Sequence, residues 1–110
     1  MPVPESMPHG ATGTLTASQR RYLRGLCHHL HPVIMLGTKG VTAAVTGELR
    51  KALAHHELVK IRLSGGDHAE RRRQIQTLLD ATGAELVQEI GHTASLFLRN
   101  DDAPKLALPR

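Results

Sequence analysis

Gly37-Thr38-Lys39-Gly40 stands between a short apolar run, Val33-Ile34-Met35-Leu36, and a stretch that can form a helix from about Thr42. Glycines at this spacing let a phosphodiester backbone come close, because no Cβ stands in the way. A helix start directly behind the turn offers unpaired N–H groups and the positive end of the helix dipole. Lys39 adds a mobile full charge. These are the parts of a phosphate clamp of the GxxG kind used against nucleic-acid backbones. Taken alone, the pattern also describes a tight strand–helix turn whose lysine sits in water. It is not a Walker A loop, since no Gly-Lys-Ser/Thr follows at the needed spacing, and it lacks the third glycine of a dinucleotide fingerprint. A small-molecule nucleotide or cofactor is therefore not expected.

Other cations cluster at helical or strand spacing. Arg20, Arg21 and Arg24 crowd one helix, and Lys60 and Arg62 share a face of one strand because residues two apart point the same way. Each group reads either as a solvated face or as an extension of a phosphate-binding stripe. Arg71-Arg72-Arg73 spreads around most of a helix circumference, so part of that run serves solubility. His28, His29, His31, His55 and His56 raise the question of a metal. Residues 28, 29 and 31 cannot all converge from a regular helix, and no zinc-type Cys or carboxylate pattern accompanies them, so no metal is expected. Cys27 falls on an apolar stripe and should be buried and unreactive. No Ser is paired with a His and an Asp at a catalytic spacing, so no enzyme activity and no catalytic residue are expected.

The chain that must position these groups has 110 residues, room for one domain, with 40% apolar but only 2% aromatic residues. With Tyr22 and Phe97 as its only Tyr, Phe or Trp side chains, a platform for stacking bases is not expected. Fourteen Lys and Arg against ten Asp and Glu give +4, and the isoelectric point near 9.8 suits a polyanionic partner. One cysteine, no secretory pattern and no apolar stretch of spanning length lead to the expectation of a cytoplasmic protein with no membrane partner.

Residues 1–14, with three prolines and two glycines, read as a disordered lead-in. Thr16 is a candidate N-cap, and Tyr22, Leu23, Leu26, Cys27 and Leu30 form the inward stripe of a first helix closed by Pro32. Residues 33–36 read as a buried strand. A second helix runs from about Thr42 to His55, with Val41, Ala44, Val45, Leu49, Ala52 and Leu53 along its apolar side. Leu58–Leu63 alternates with period two and reads as a strand with one basic face. A third helix covers His68–Thr82, ended by Gly83. Strands Ala84–Ile90 and Thr93–Arg99 flank the two-residue link Gly91-His92. The tail 101–110, with Pro104 and Pro109, reads as loosely ordered. The order is αβαβαββ: a two-layer α+β (α/β) fold with one layer of helices on a mixed four-stranded sheet, in a single domain over residues 15–100.

Across residues 15–99 the sequence resembles the CRM domain, named for chloroplast RNA splicing and ribosome maturation, in its bacterial single-domain form. The likeness is carried by Leu23-Arg24-Gly25-Leu26, His28-x-Leu30-x-Pro32-Val33, Leu36-Gly37-Thr38-Lys39-Gly40-Val41-Thr42, Glu48-Leu49, Ala52-Leu53 and His56-Glu57-Leu58-Val59-Lys60-Ile61-Arg62. Thr82-Gly83, Ile90-Gly91 and Leu108-Pro109-Arg110 also fit, while Cys27 and His29 depart from the pattern. The resemblance implies a fold similar to the C-terminal domain of translation initiation factor three and RNA binding through the GxxG loop. It further implies a role in ribosome biogenesis: association with ribosomal RNA in precursors of the large subunit during assembly. The expected RNA-binding set is Gly37, Thr38, Lys39 and Gly40, extended by Arg20, Arg24, Lys60 and Arg62, on a monomer. The alternative is a protein–protein adaptor of the same fold, whose basic face meets an acidic partner.

Overall fold

In a computed structural model, residues 15–109 are described, and the lead-in 1–14 lies outside them. Helix α1 (Ala17–Cys27) opens on a capping box: the Gln19 amide donates to the Thr16 hydroxyl, and the Thr16 amide donates back to the Gln19 side-chain carbonyl at 2.9 Å. Strand β1 is Ile34–Met35, α2 is Ala43–His56, β2 is Leu58–Arg62 and α3 is His68–Thr82. Strands β3 (Glu85–Ile90) and β4 (Thr93–Phe97) form the closing hairpin, joined through Gly91 at a left-handed φ of 57°. Thr42 and Asp67 cap α2 and α3, and Gly83 ends α3 in the left-handed conformation, as its position just past the helix predicts. The first helix stops at Cys27, five residues short of Pro32, because His28–Leu30 turn back on themselves with short-range amide bonds.

The sheet order is β1-β2-β4-β3, with β1 and β2 parallel and the other pairs antiparallel. The expected α+β class, element order and mixed four-stranded sheet are all present. The helices, however, do not all lie in one layer. Alternation along the strands assigns Val59, Ile61, Leu63, Ala94 and Leu96 to a core under α2 and α3, with Leu49, Leu53, Ile75 and Leu78. Leu58, Val87 and Phe97 point the other way and are covered by Leu23 and Cys27 of α1. A fully buried leucine or isoleucine of this kind contributes about 1.5–3 kcal/mol, so neither core is incidental.

Residues 101–109 of the tail form no helix or strand, in keeping with its prolines, yet they are anchored. Leu106 and Leu108 pack on the α1 core, and the Gln19 side chain donates to the Pro109 carbonyl at 2.9 Å. Its main tie is Glu57, which is completely buried and held at φ 63°, a left-handed conformation unusual for a residue with a side chain. The carboxylate accepts from the amides of Asn100, Lys105 and Leu106 at 2.7–2.8 Å and from Arg99 at 3.2 Å.

Strand β1 corrects one expectation. It is not buried on both sides: Ile34 and Leu36 face the core, while Val33 and Met35 are 59% and 68% exposed. It is an edge strand, and α1 packs on β3 and β2, which leaves the outer face of β1 uncovered.

Candidate nucleic-acid interface

Parallel pairing brings the C-terminal ends of β1 and β2 together, and each strand runs into a glycine turn followed by a capped helix. In the first turn the Gly40 amide donates to the Gly37 carbonyl at 3.0 Å, and Gly40 takes a φ of 71°. A side chain at Gly40 would therefore be strained. At Gly37 a Cβ would meet nothing within 4 Å, so the fold itself does not require glycine there. Thr38 and Lys39 are exposed, and their amides donate to no acceptor among the described residues. The Lys39 ammonium likewise has no ion-pair or hydrogen-bond partner among them, which leaves a full charge free at the tip of the turn.

The second turn is Ser64-Gly65-Gly66, ahead of the Asp67 cap of α3. It lies beside the first across a shallow cleft of about 420 Å³ lined by Leu36, Gly37, Thr38, Ser64 and Gly65. Buried Gln74 of α3 holds it there: its side chain accepts from the Ser64 amide at 3.3 Å and donates to the Ser64 hydroxyl. The same Gln74 amide lies 3.6 Å from the point where a Cβ on Gly40 would sit, so it packs against both turns. Arg71 braces the second turn through the Gly66 carbonyl at 2.7 Å. These residues are absent from the sequence-based site. The signal was nonetheless present, since strand, glycines and N-cap recur in the same order after β2.

The other predicted cations divide. Arg62 pairs with Met35 across the parallel strands and is exposed at the same end of the sheet as Lys39, and its guanidinium has no hydrogen-bond or ion-pair partner among the described residues. Arg24 is also exposed and unpaired among them, one helical turn beyond Arg20. On the opposite flank of α1, Gln19 and Leu26 meet the tail, so Arg24 lies on the side turned away from it. Arg20 and Lys60 have structural partners instead. Arg20 donates to Glu85 at 2.7 Å and to the Leu86 carbonyl at 2.9 Å, pinning α1 to β3. Lys60 donates to the Cys27 carbonyl at 2.8 Å, at the negative end of α1. Its face of the sheet is thus partly covered rather than open throughout. In the arginine run, Arg72 pairs with Glu89 and Arg73 with Glu70, so each has a carboxylate neighbour.

Among the described residues, no three His, Cys, Asp or Glu side chains converge as a metal-binding set, and no helix is long and apolar enough to cross a membrane. Cys27 is buried against the sheet. Phe97 is buried too, which leaves Tyr22, at 41% exposure, as the accessible aromatic side chain of the two.

Comparison with known proteins gives a consistent picture. The family model described as the CRS1 / YhbY (CRM) domain matches residues 15–97. A Haemophilus influenzae protein named "RNA-binding protein" is 42% identical over 97 residues, covering 88% of this chain and 97% of the relative. The Bacillus subtilis "Probable RNA-binding protein YqeI" is 30% identical over 95 residues, covering 86% and 99%. The solution structure of a hypothetical protein from Staphylococcus aureus superposes with a TM-score of 0.74 at 29% identity, over 87% of this chain and 100% of the other.

Proposed function

This chain belongs to the CRS1 / YhbY (CRM) domain family, and on that premise we propose that it is a cytoplasmic RNA-binding protein that docks on ribosomal RNA in precursors of the large ribosomal subunit. The observation that carries the reading is the pair of glycine turns at one end of the sheet, with Lys39 and Arg62 exposed and unneutralised beside them. The N-terminus of α2, capped by the neutral Thr42 with no acid in its first turn, and two free cations at one edge favour a chain of phosphates over a single anion. Gly37, Thr38, Lys39 and Gly40 contact backbone phosphates, and Arg62 and Arg24 extend the track along the α1 face. Arg20 and Lys60 act mainly by holding α1 in place, with Lys60 at the margin of the track. Contacts of this kind position an RNA without reading its bases, so selection of a site depends on the shape of folded RNA.

The test is a sucrose gradient of cell lysate, probed for the protein and for large-subunit precursor RNA. Co-migration with the precursor, reversed by raised salt or by ribonuclease, is the expected result. Migration with the small subunit alone, or only in free fractions at low salt, would overturn the ribosome-assembly reading. A complex that survives ribonuclease would make the protein an adaptor for an acidic partner.

A further inference from the structure

Strand register assembles a strip that neither the glycine turns nor the cation pattern predicts. Met35 pairs with Arg62, Arg62 with Thr93, and Thr93 with Ile90, so these four residues form one continuous row across all four strands on the α1 side of the sheet. Neighbouring strands lie about 4.8 Å apart, which makes the row roughly 14 Å long. Helix α1 does not cover it. Met35 is 68% and Ile90 57% exposed, Arg62 lies between them with a guanidinium that has no partner among the described residues, and Val33 adds an apolar neighbour behind Met35. One end of the row adjoins the candidate interface, where β1 runs from Met35 into the Gly37 turn, and at the other end β3 runs from Ile90 into the Gly91-His92 hairpin turn. The His92 carbonyl accepts from Leu63, next to the Ser64-Gly65 turn.

The charge on this surface has one sign. Glu89 pairs with Ala94, which belongs to the opposite core, and Glu85 is buried in the covered row with Arg20. A strip with flat aliphatic ends, a central guanidinium and no opposing carboxylate suits a ligand that combines apolar planes with negative charge. Unpaired nucleotides are such a ligand. Their base faces can lie on Met35 and Ile90, and a guanidinium stacks on bases as well as pairing with phosphate. A protein helix fits less well, because a standard interface buries about 800 Å² per partner and these few side chains offer far less.

We propose that this row docks unpaired RNA nucleotides lying next to the phosphates held by the glycine turns. The inference rests on the RNA-binding reading and narrows it: the preferred target is an RNA helix interrupted by a bulge or loop, not an unbroken duplex.

Two fluorescently labelled hairpins of equal length test this, one fully paired and one carrying an unpaired bulge, titrated by anisotropy at low salt. The wild-type protein should bind the bulged RNA about tenfold more tightly. Met35→Thr with Ile90→Thr places a β-branched residue at both exposed strand positions and should leave the thermal melt unchanged. It should abolish the preference while leaving affinity for the paired hairpin intact. Lys39→Glu should weaken both RNAs alike. Equal wild-type affinities, or equal weakening of both RNAs by the threonine pair, would overturn the docking strip and leave phosphate binding standing. Failure to bind either RNA, with Lys39→Glu silent, would overturn the RNA reading itself. If the threonine pair kept its preference for bulged RNA but fell off precursor particles, the row would belong to a protein contact and the inference would fail.

Discussion

The two ends of strand β2 treat charge in opposite ways. At its start, Glu57 is wholly buried in a strained backbone conformation, and its carboxylate accepts three backbone amides and the Arg99 guanidinium. At its finish, Arg62 and, at the same end of the sheet, Lys39 are exposed, and their charged groups have no partner among the described residues. A buried charge is tolerable only when its hydrogen bonds are met, and then losing it is costly. An exposed, unpaired cation adds little to stability and remains available to a ligand. One end of the strand therefore holds the chain together, and the other is free to bind.

The largest expected effect tests the buried end. Glu57→Ala leaves three amides and a guanidinium without their acceptor, and should cost about 3–5 kcal/mol. For a domain of this size that lowers Tm by roughly 10–20 °C in a calorimetric scan. A shift of only a degree or two would show that the tail clamp is dispensable. Glu57 also makes stability depend on pH. Burial alone raises its carboxyl pKa, but the amides of Asn100, Leu106 and Lys105, together with Arg99, outweigh burial and hold it below the ordinary glutamate value. Its stabilisation is therefore complete above the ordinary carboxylate range and is lost as pH falls through the lowered folded-state value. In Glu57→Gln that acid-linked loss should vanish from denaturant titrations at stepped pH.

The next effect belongs to the binding end. Lys39→Glu should reduce RNA affinity about tenfold or more by reversing charge at the phosphate site, with an unaltered melt. Loss of stability would mean that the turn is structural and would erase the contrast between the ends.

A finer test separates the two glycines of the same turn. Gly37→Ala should fold normally and bind RNA several-fold more weakly, since the added methyl meets open space in the protein and can obstruct only a ligand. Gly40→Ala should also lose about 1 kcal/mol of stability, because its left-handed φ disfavours a Cβ.

The smallest effect divides two cations on one face of β2. Arg62→Ala should lower the slope of log affinity against log salt by about one unit with no change in melt. Lys60→Ala should mainly cost about 1 kcal/mol, through its lost bond to the Cys27 carbonyl, and leave the slope nearly as it was. The reverse assignment would move the RNA track toward α1.

Sequence alone was sufficient for the order of the elements and for the position of the first turn. Thr16 and Gly83 mark helix ends through bonds made within a few residues, and the period of the apolar pattern separates α3 from β2 without reference to the rest of the chain. The Gly37–Gly40 turn is likewise local, and the left-handed Gly40 and the exposed Lys39 both follow from four adjacent residues. The role of each cation could not. Arg20 meets Glu85 across 65 residues, Lys60 meets Cys27 across 33, and Glu57 meets Leu106 across 49. Nothing in the local pattern distinguishes these engaged residues from Arg24 and Arg62, which are free among the described residues. The placement of α1 on the opposite face of the sheet, the juxtaposition of the two glycine turns, and the row from Met35 to Ile90 have the same origin. Each depends on which strands pair and in what register, and register is set by packing of the whole sheet between its two cores.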